Sequence, residues 1–280
     1  GLTDTKDYTF QKNGKGFTAS FTLDAESRGA LLIIKNGDET ENFDGEGYYL
    51  SVCGKDGNPV PGALAAQAYA MINWADFYLE LKKDNDAAFE LMKQDLDKNE
   101  SIRREFASHF YSLMVTIKRS DMAVHLEGIA SVIEAIENKT EDDFQFLINY
   151  ANSTKDAEKV NQLKEAFKAK YPSAVYFQRA KVNEYYREQD LQKKRDLASQ
   201  FRKEFTESQY ASDISDIMIN FLRDKKMYTE ALEYIKMNKS TVSAYRYYAL
   251  GQRMFDEEYD NNTVLAVADM GLEKSLAEYE

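Results

Sequence analysis

The chain has one cysteine, two histidines and three prolines in 280 residues. A single thiol, Cys53, excludes an internal disulfide framework and any multi-thiolate metal site. In its strand-like surroundings Cys53 reads as a small core residue rather than a reactive thiol. Neither His109 nor His125 sits in a His-Glu-x-x-His arrangement, and a catalytic zinc needs three protein ligands. His109, in Phe106-Ala-Ser-His-Phe-Tyr111, therefore reads as a partly buried structural side chain. A Gly-x-Ser-x-Gly elbow is missing, and no apolar run approaches the roughly 18 residues of a membrane span. Basic charge is also short, giving a formal net charge of −12. That balance repels phosphates at long range and disfavours nucleic acid and anionic membrane surfaces. No leader-like segment precedes Gly1, so the chain reads as trimmed, with its native targeting hidden rather than absent.

Glycine and proline are not so much scarce as unevenly placed. Ten of the thirteen glycines and two of the three prolines precede residue 63; beyond it stand only Gly128, Gly251, Gly271 and Pro172. Helix interiors exclude both types, at about 1 and 3 kcal/mol each. The break predicts a small turn-rich β domain over residues 1–61 and a helical domain over 62–280.

In the first part, Phe17, Ala19, Phe21 and Leu23 alternate with Thr18, Ser20 and Thr22, which predicts a strand with one buried face. Ala30 to Ile34 is a short apolar run that reads as a strand covered on both faces. Tyr48 to Val52 is a third strand and Tyr8 to Phe10 a first. Asn13-Gly14, Asn36-Gly37 and Asp56-Gly57 supply turns. The expectation is an antiparallel, β-sandwich-like unit too small to stand alone, leaning on the first helices. Helical period and polar junctions then place helices near 63–81, 85–97, 100–118, 121–138, 141–152, 155–170, 173–187, 190–205, 210–223, 228–237, 241–255 and 262–279. The β unit should cover the first through Leu64, Met71 and Ile72.

Stacked helical hairpins follow from helices of this length on short connectors. Turns near Ala157, Leu191 and Tyr228 are spaced by 34 and 37 residues. Met227-Tyr-Thr-Glu-Ala-Leu-Glu-Tyr234 resembles the tyrosine-to-alanine turn of tetratricopeptide repeats, and Tyr171-Pro172 closes a unit where that family places its proline. Ile219 stands where a small residue is expected, and Lys194 where the second helix wants alanine. Degenerate tetratricopeptide-like pairs and irregular helical packing are both open readings.

Gly14-Lys-Gly16 and Gly45-Glu-Gly47 lack a following helix start and read as turns rather than phosphate cradles. The acidic stretch Asp38 to Gly45 misses the calcium-loop template, with Ser51 at the bidentate position, and reads as a solvated hairpin edge. Asp256-Glu-Glu258 with Asp260 reads as an exposed helix end. Among the abundant aromatics, Phe77-Tyr78, Phe110-Tyr111, Tyr176-Phe177, Tyr185-Tyr186 and Tyr245-Arg-Tyr247-Tyr248 recur along the helices. Most are inter-helix packing; a minority are expected on a concave binding face. Tyr186, Arg187, Arg246 and Tyr247 are the candidate binding residues, with Arg179 nearby, since aromatic and arginine side chains anchor interfaces and an arginine pairs a client's carboxylate. No catalytic residue, metal site or cofactor is assigned.

Phe21-Thr-Leu23 followed by Gly47-Tyr48-Tyr-Leu-Ser-Val-Cys-Gly-Lys-Asp56-Gly57-Asn-Pro59-Val60-Pro-Gly62-Ala63-Leu-Ala65 forms an ordered set over residues 17–75. It resembles the amino-terminal region of envelope thiol–disulfide oxidoreductases of the thioredoxin-like, TlpA-related class. Asp24 stands where that family usually has proline. The family's Cys-x-x-Cys thioredoxin domain has no counterpart within these 280 residues. The resemblance implies a periplasmic or envelope location and a non-enzymatic accessory module that serves an in-cis thioredoxin domain or recruits protein clients. A stand-alone periplasmic scaffold or polypeptide-binding protein is the alternative, and a hydrolase assembled from scattered Asp, Glu and His a third class.

Overall fold

The computed structural model describes residues 6–76, 80–117 and 119–279. It is mainly helical, with a small N-terminal set of antiparallel strands. Its packing divides into two compact units, Gly1–Ala166 and Phe167–Glu280.

In the first unit β1 (Gln11–Asn13) pairs with β2 (Gly16–Thr18), β3 (Gly29–Leu32) with β6 (Tyr48–Ser51), and β4 (Ile34–Asn36) with β5 (Glu39–Glu41). These are three separate two-stranded ladders, and no sandwich is seen among the described residues. The Asn13-Gly14 and Asn36-Gly37 turns close two of them, and Asp56-Gly57 lies between the bridged Cys53 and Pro59. Two expectations fail here. Phe17 is 69 % exposed, because among the described residues β1 and β2 pair only with each other and no layer covers the alternating face. Cys53 is exposed rather than core, since it sits just past β6 with only Pro59 bridged to it. The Ala30–Ile34 run is half-buried and is split between β3 and β4.

The ladder that matters most for packing is β3–β6, which lies against α1 (Ala63–Asn73). Leu64, Met71 and Ile72 are half-buried, and Ala65 and Ala68 form the fully buried stripe that lets α2 (Asn85–Lys98) approach closely. Leu79 and the Phe77-Tyr78 pair lie outside the described residues. Alpha-one begins at Gly62, whose φ is 88° and which offers no side-chain cap. That φ is one L side chains rarely adopt, which favours glycine, and a Cβ there would also displace the Arg28 guanidinium, 2.2 Å away. The missing cap comes from elsewhere in the fold. Buried Asp95 of α2 accepts the backbone N–H groups of Gly62 at 3.2 Å and Ala65 at 2.9 Å, and the Asn99 side-chain amide at 2.8 Å. Arg28 itself makes a bidentate pair with Glu105 at 2.9 and 2.7 Å and lies over the Phe106 ring.

A 3-10 turn, Glu100–Ile102, leads into α3 (Arg103–Thr116), followed by α4 (Met122–Glu134), α5 (Glu141–Ser153) and α6 (Ala157–Lys170), within which the two units divide. The core of this unit runs from Ala65 and Ala68 through Phe89, Met92, Phe110 and Leu126 to Phe146 and Leu147. Alpha-five opens with a reciprocal capping box between Thr140 and Asp143. Asp143 also takes a bidentate pair from Arg104 of α3 at 3.0 and 2.6 Å.

The second unit holds α7 (Val175–Arg187), α8 (Leu191–Glu204), α9 (Ala211–Asp224), α10 (Tyr228–Met237), α11 (Ala244–Asp256) and α12 (Asn261–Tyr279). Consecutive helices pack as α7 on α8, α9 on α10 and α11 on α12, and α9 also packs on α7, α8 and α11. Ala157, Leu191 and Tyr228 each open a helix. Tyr228, Ala231 and Ile219 are all buried in this core. So is Lys194, whose ammonium donates to the Tyr185 carbonyl and faces the Tyr185 and Phe221 rings.

Candidate functional site

The last helix pair carries the largest run of exposed apolar side chains. On α11, Tyr247, Leu250, Gly251 and Met254 share the buried face at spacings of three, one and three. The remaining phase, Tyr245, Tyr248, Gln252 and Phe255, turns outward. Alpha-twelve buries only Val267 and leaves Leu265, Leu272 and Leu276 exposed. Between the two helices runs a groove of about 510 Å³, walled by Tyr245, Tyr248, Phe255, Val264 and Leu272, with Gly251 among the residues at its base. Tyr248 is 64 % exposed, Phe255 66 % and Leu272 61 %.

Small residues set the groove's depth. A Cβ on Gly271 would lie 2.8 Å from the Cβ of Tyr247, closer than carbon atoms pack, so glycine here lets α12 settle onto α11. Tyr245 and Tyr248 lie with ring centroids 6.3 Å apart, and the Arg246 guanidinium is 5.4 Å from the Tyr245 ring.

The surroundings are acidic. Between residues 244 and 279 there are seven carboxylates and three cationic side chains. All three cations are already paired: Arg246 with Asp216, Arg253 with Glu257 and Lys274 with Glu278. Asp256, Glu258, Asp260, Asp269 and Glu273 enter no ion pair among the described residues. Asp256, Glu258 and Asp260 line a second, polar depression with Phe255 at its lip. Glu257 is held below the usual carboxylate range by the Tyr228 hydroxyl at 2.7 Å, then by Lys226 and Arg253. Asp260 is lowered by the Thr263 hydroxyl and backbone N–H, which it caps at the start of α12.

The four residues singled out by sequence are placed differently from one another. Tyr186 is 67 % exposed at the end of α7 and Arg187 beside it is exposed. Tyr247 is 2 % exposed and belongs to the core, where burial raises its pKa. Arg246 turns away from solvent: its Nε lies 2.8 Å from Asp216 as an ion pair, and Nη1 donates to Asn220 at 3.2 Å. Arg179 donates to the Tyr210 hydroxyl at 2.7 Å. Tyr186 and Arg187 sit on α7, Arg246 and Tyr247 on α11, and α9 packs against both helices. Tyr245, Tyr248, Phe255 and Leu272 were not selected from sequence. The signal was the phase of α11: Tyr247 falls with Leu250, Gly251 and Met254, so Tyr245 and Tyr248 must point the other way.

Other chemistry-bearing residues stay apart. His109 is exposed rather than partly buried as expected, its ring centroid 4.4 Å from Tyr69 and 6.3 Å from Phe106, and desolvation by these neighbours pushes its pKa down. His125 lies 3.0 Å from Asp121 and edge-on to Phe89. Among the described residues no group of His, Cys, Asp and Glu is arranged to hold a metal ion, and no helix is long and apolar enough to cross a membrane. Comparison of the chain with family models, curated proteins and solved structures finds no match.

Proposed function

We propose that this chain is a non-catalytic protein-interaction module, its helices arranged as degenerate tetratricopeptide-like pairs, serving an envelope thioredoxin-like thiol–disulfide oxidoreductase. The observation that carries the interaction role is the exposed aromatic and aliphatic groove on α11 and α12. Soluble surfaces rarely leave such a continuous apolar patch bare unless it meets a partner. Burial of Tyr228 and Ala231 at the start of α10 supports the repeat reading, because those positions form the inter-helix turn in that family. Buried Lys194 and Ile219, at positions the family reserves for small residues, make the pairs irregular. The redox context rests on the ordered set Phe21–Leu23 and Gly47–Ala65, which resembles the accessory region preceding a thioredoxin domain.

Two measurements test this. Sequencing the gene past the codon for Glu280 is expected to reveal an in-frame Cys-x-x-Cys domain. A stop codon there overturns the redox assignment and favours a free-standing scaffold. Residues 1–280 are expected to reduce insulin no faster than background, since exchange between a dithiol and a disulfide needs a second thiol. Turnover above background overturns the non-catalytic reading.

A further inference from the structure

We propose that the α11/α12 groove receives an amphipathic, basic polypeptide helix, docked through apolar side chains in the groove and lysines or arginines against its acidic margin. The proposal rests on the reading of the chain as an interaction module and on no part of its redox context.

Three features of the surface specify this occupant. From Tyr245 to Phe255 the exposed row spans ten residues, about 15 Å or close to three helical turns. The outward row on α11 and the Val264, Ala268 and Leu272 row on α12, spaced by four, line the groove as two ridges at helical spacing, and a third helix packs into the channel between such ridges. Charge then selects among helical partners. The three cations of this hairpin are satisfied internally by Asp216, Glu257 and Glu278, so an acidic partner meets no free cation there. Asp256, Glu258, Asp260, Asp269 and Glu273 remain available to a basic one, and complementary charge around an apolar centre steers and orients docking. A second copy would set this acidic surface against itself on a chain of net charge −12. An anionic membrane meets the same repulsion.

The test uses the full chain and two labelled model peptides of about 14 residues: an amphipathic leucine–lysine helix and its leucine–glutamate counterpart. Fluorescence anisotropy is expected to show the lysine peptide binding at least tenfold more tightly than the glutamate peptide. Raising salt from about 50 to 500 mM should erode that preference. The double variant Tyr248→Ser/Leu272→Ser is expected to lose at least tenfold in affinity with an unchanged helical circular dichroism spectrum, because both side chains are exposed. Met237→Ser, at an exposed position on α10, is expected to change nothing. Asp256→Asn/Glu258→Gln should weaken the lysine peptide severalfold and leave the glutamate peptide no weaker. Equal affinity for the two peptides overturns the proposal, as does a Tyr248→Ser/Leu272→Ser protein that binds like wild type. So does a dimer in light scattering that Leu272→Ser dissociates, or groove-dependent sedimentation with phosphatidylglycerol vesicles. None of these outcomes alters the insulin or gene-sequence results, so this proposal can fail while the accessory role stands.

Discussion

The pairs α1/α2 and α11/α12 use the same device and finish differently. Each brings two helices close through small residues, alanines at 65 and 68 in the first and Gly251 and Gly271 in the second. In the first pair the outer surface of α1 is then covered by β3, β6 and α3. In the second, Tyr245, Tyr248, Phe255 and Leu272 stay in solvent. Carboxylates follow the same division. Asp95 and Asp143 turn inward: Asp95 ties α2 to the N-terminus of α1, and Asp143 ties the N-terminus of its own helix to α3. Asp256 and Glu258 line an open depression and enter no ion pair among the described residues. Close packing of a pair is thus separable from coverage of its outer face, and the uncovered face is where binding is to be sought.

The sharpest way to break this comparison is at adjacent tyrosines. Tyr247→Ala removes a fully buried ring and is expected to cost about 3–5 kcal/mol, whereas Tyr248→Ala, at an exposed position, should stay within about 0.5 kcal/mol. Urea denaturation followed by far-ultraviolet circular dichroism reads both. Similar costs for the two would mean that the outer face of α11 is covered after all, and the contrast between the pairs would collapse.

In the covered pair the comparable test is Asp95→Ala. It strips α1 of the side-chain cap that Asp95 supplies and leaves two backbone N–H groups unsatisfied in a buried site, for an expected loss of about 2–3 kcal/mol. Trp74, the single tryptophan, lies just beyond α1 and its fluorescence reports the transition locally. A loss below about 0.5 kcal/mol would show that water replaces Asp95 and that α1 is not anchored through its first turn.

Glycine replacements probe the close approach itself. Gly271→Ala gains about 1 kcal/mol of helix propensity but forces a Cβ against Tyr247, an overpacking cost of about 1–3 kcal/mol. A net loss is expected. Gly128→Ala in α4 meets only the Arg103 guanidinium at 3.6 Å, an ordinary contact, and should stabilise by up to about 1 kcal/mol. Stabilisation by both would mean that α12 has room to shift, and that Gly271 does not set the depth of the groove.

What could be read from sequence divides along physical lines. The helices were legible because a 3.6-residue apolar period and polar junctions are local properties, and Ala157, Leu191 and Tyr228 mark helix starts as spacing suggested. The strands were less so. Whether Phe17 is buried depends on a layer supplied from elsewhere, and among the described residues no sheet or helix is packed closely on β1 and β2. Cys53 was misread for the same reason, since a residue at the end of an alternating run is buried only if pairing continues past it. The tyrosine-rich stretch at 245–248 was recognised as a candidate, but the choice of Tyr247 followed residue type rather than helical phase. Arg246 looked available because its partner Asp216 lies thirty residues away in sequence. The acidic margin was visible; its relevance required knowing that the hairpin's cations are consumed by their own neighbours.

The smallest expected effect concerns acid. Burial works against ionised Asp143, and the hydrogen bonds from Arg104 and from the Thr140 backbone and side chain outweigh it, so its pKa lies below the usual carboxylate value. A carboxylate depressed by folding contributes stability that is fully present above its unfolded pKa, near 3.8. That contribution is lost as pH falls through the folded value, because the unfolded chain takes up the proton first. Asp143→Asn should therefore lower stability near neutral pH and flatten the decline below about pH 4 relative to the native chain. Urea midpoints from pH 2.5 to 7, read by Trp74 fluorescence, decide it. If Asp143→Asn keeps the native acid slope, the Arg104–Asp143 bridge does not tie α5 to α3 in solution. The inward use of carboxylates in the first unit would then reduce to Asp95 alone.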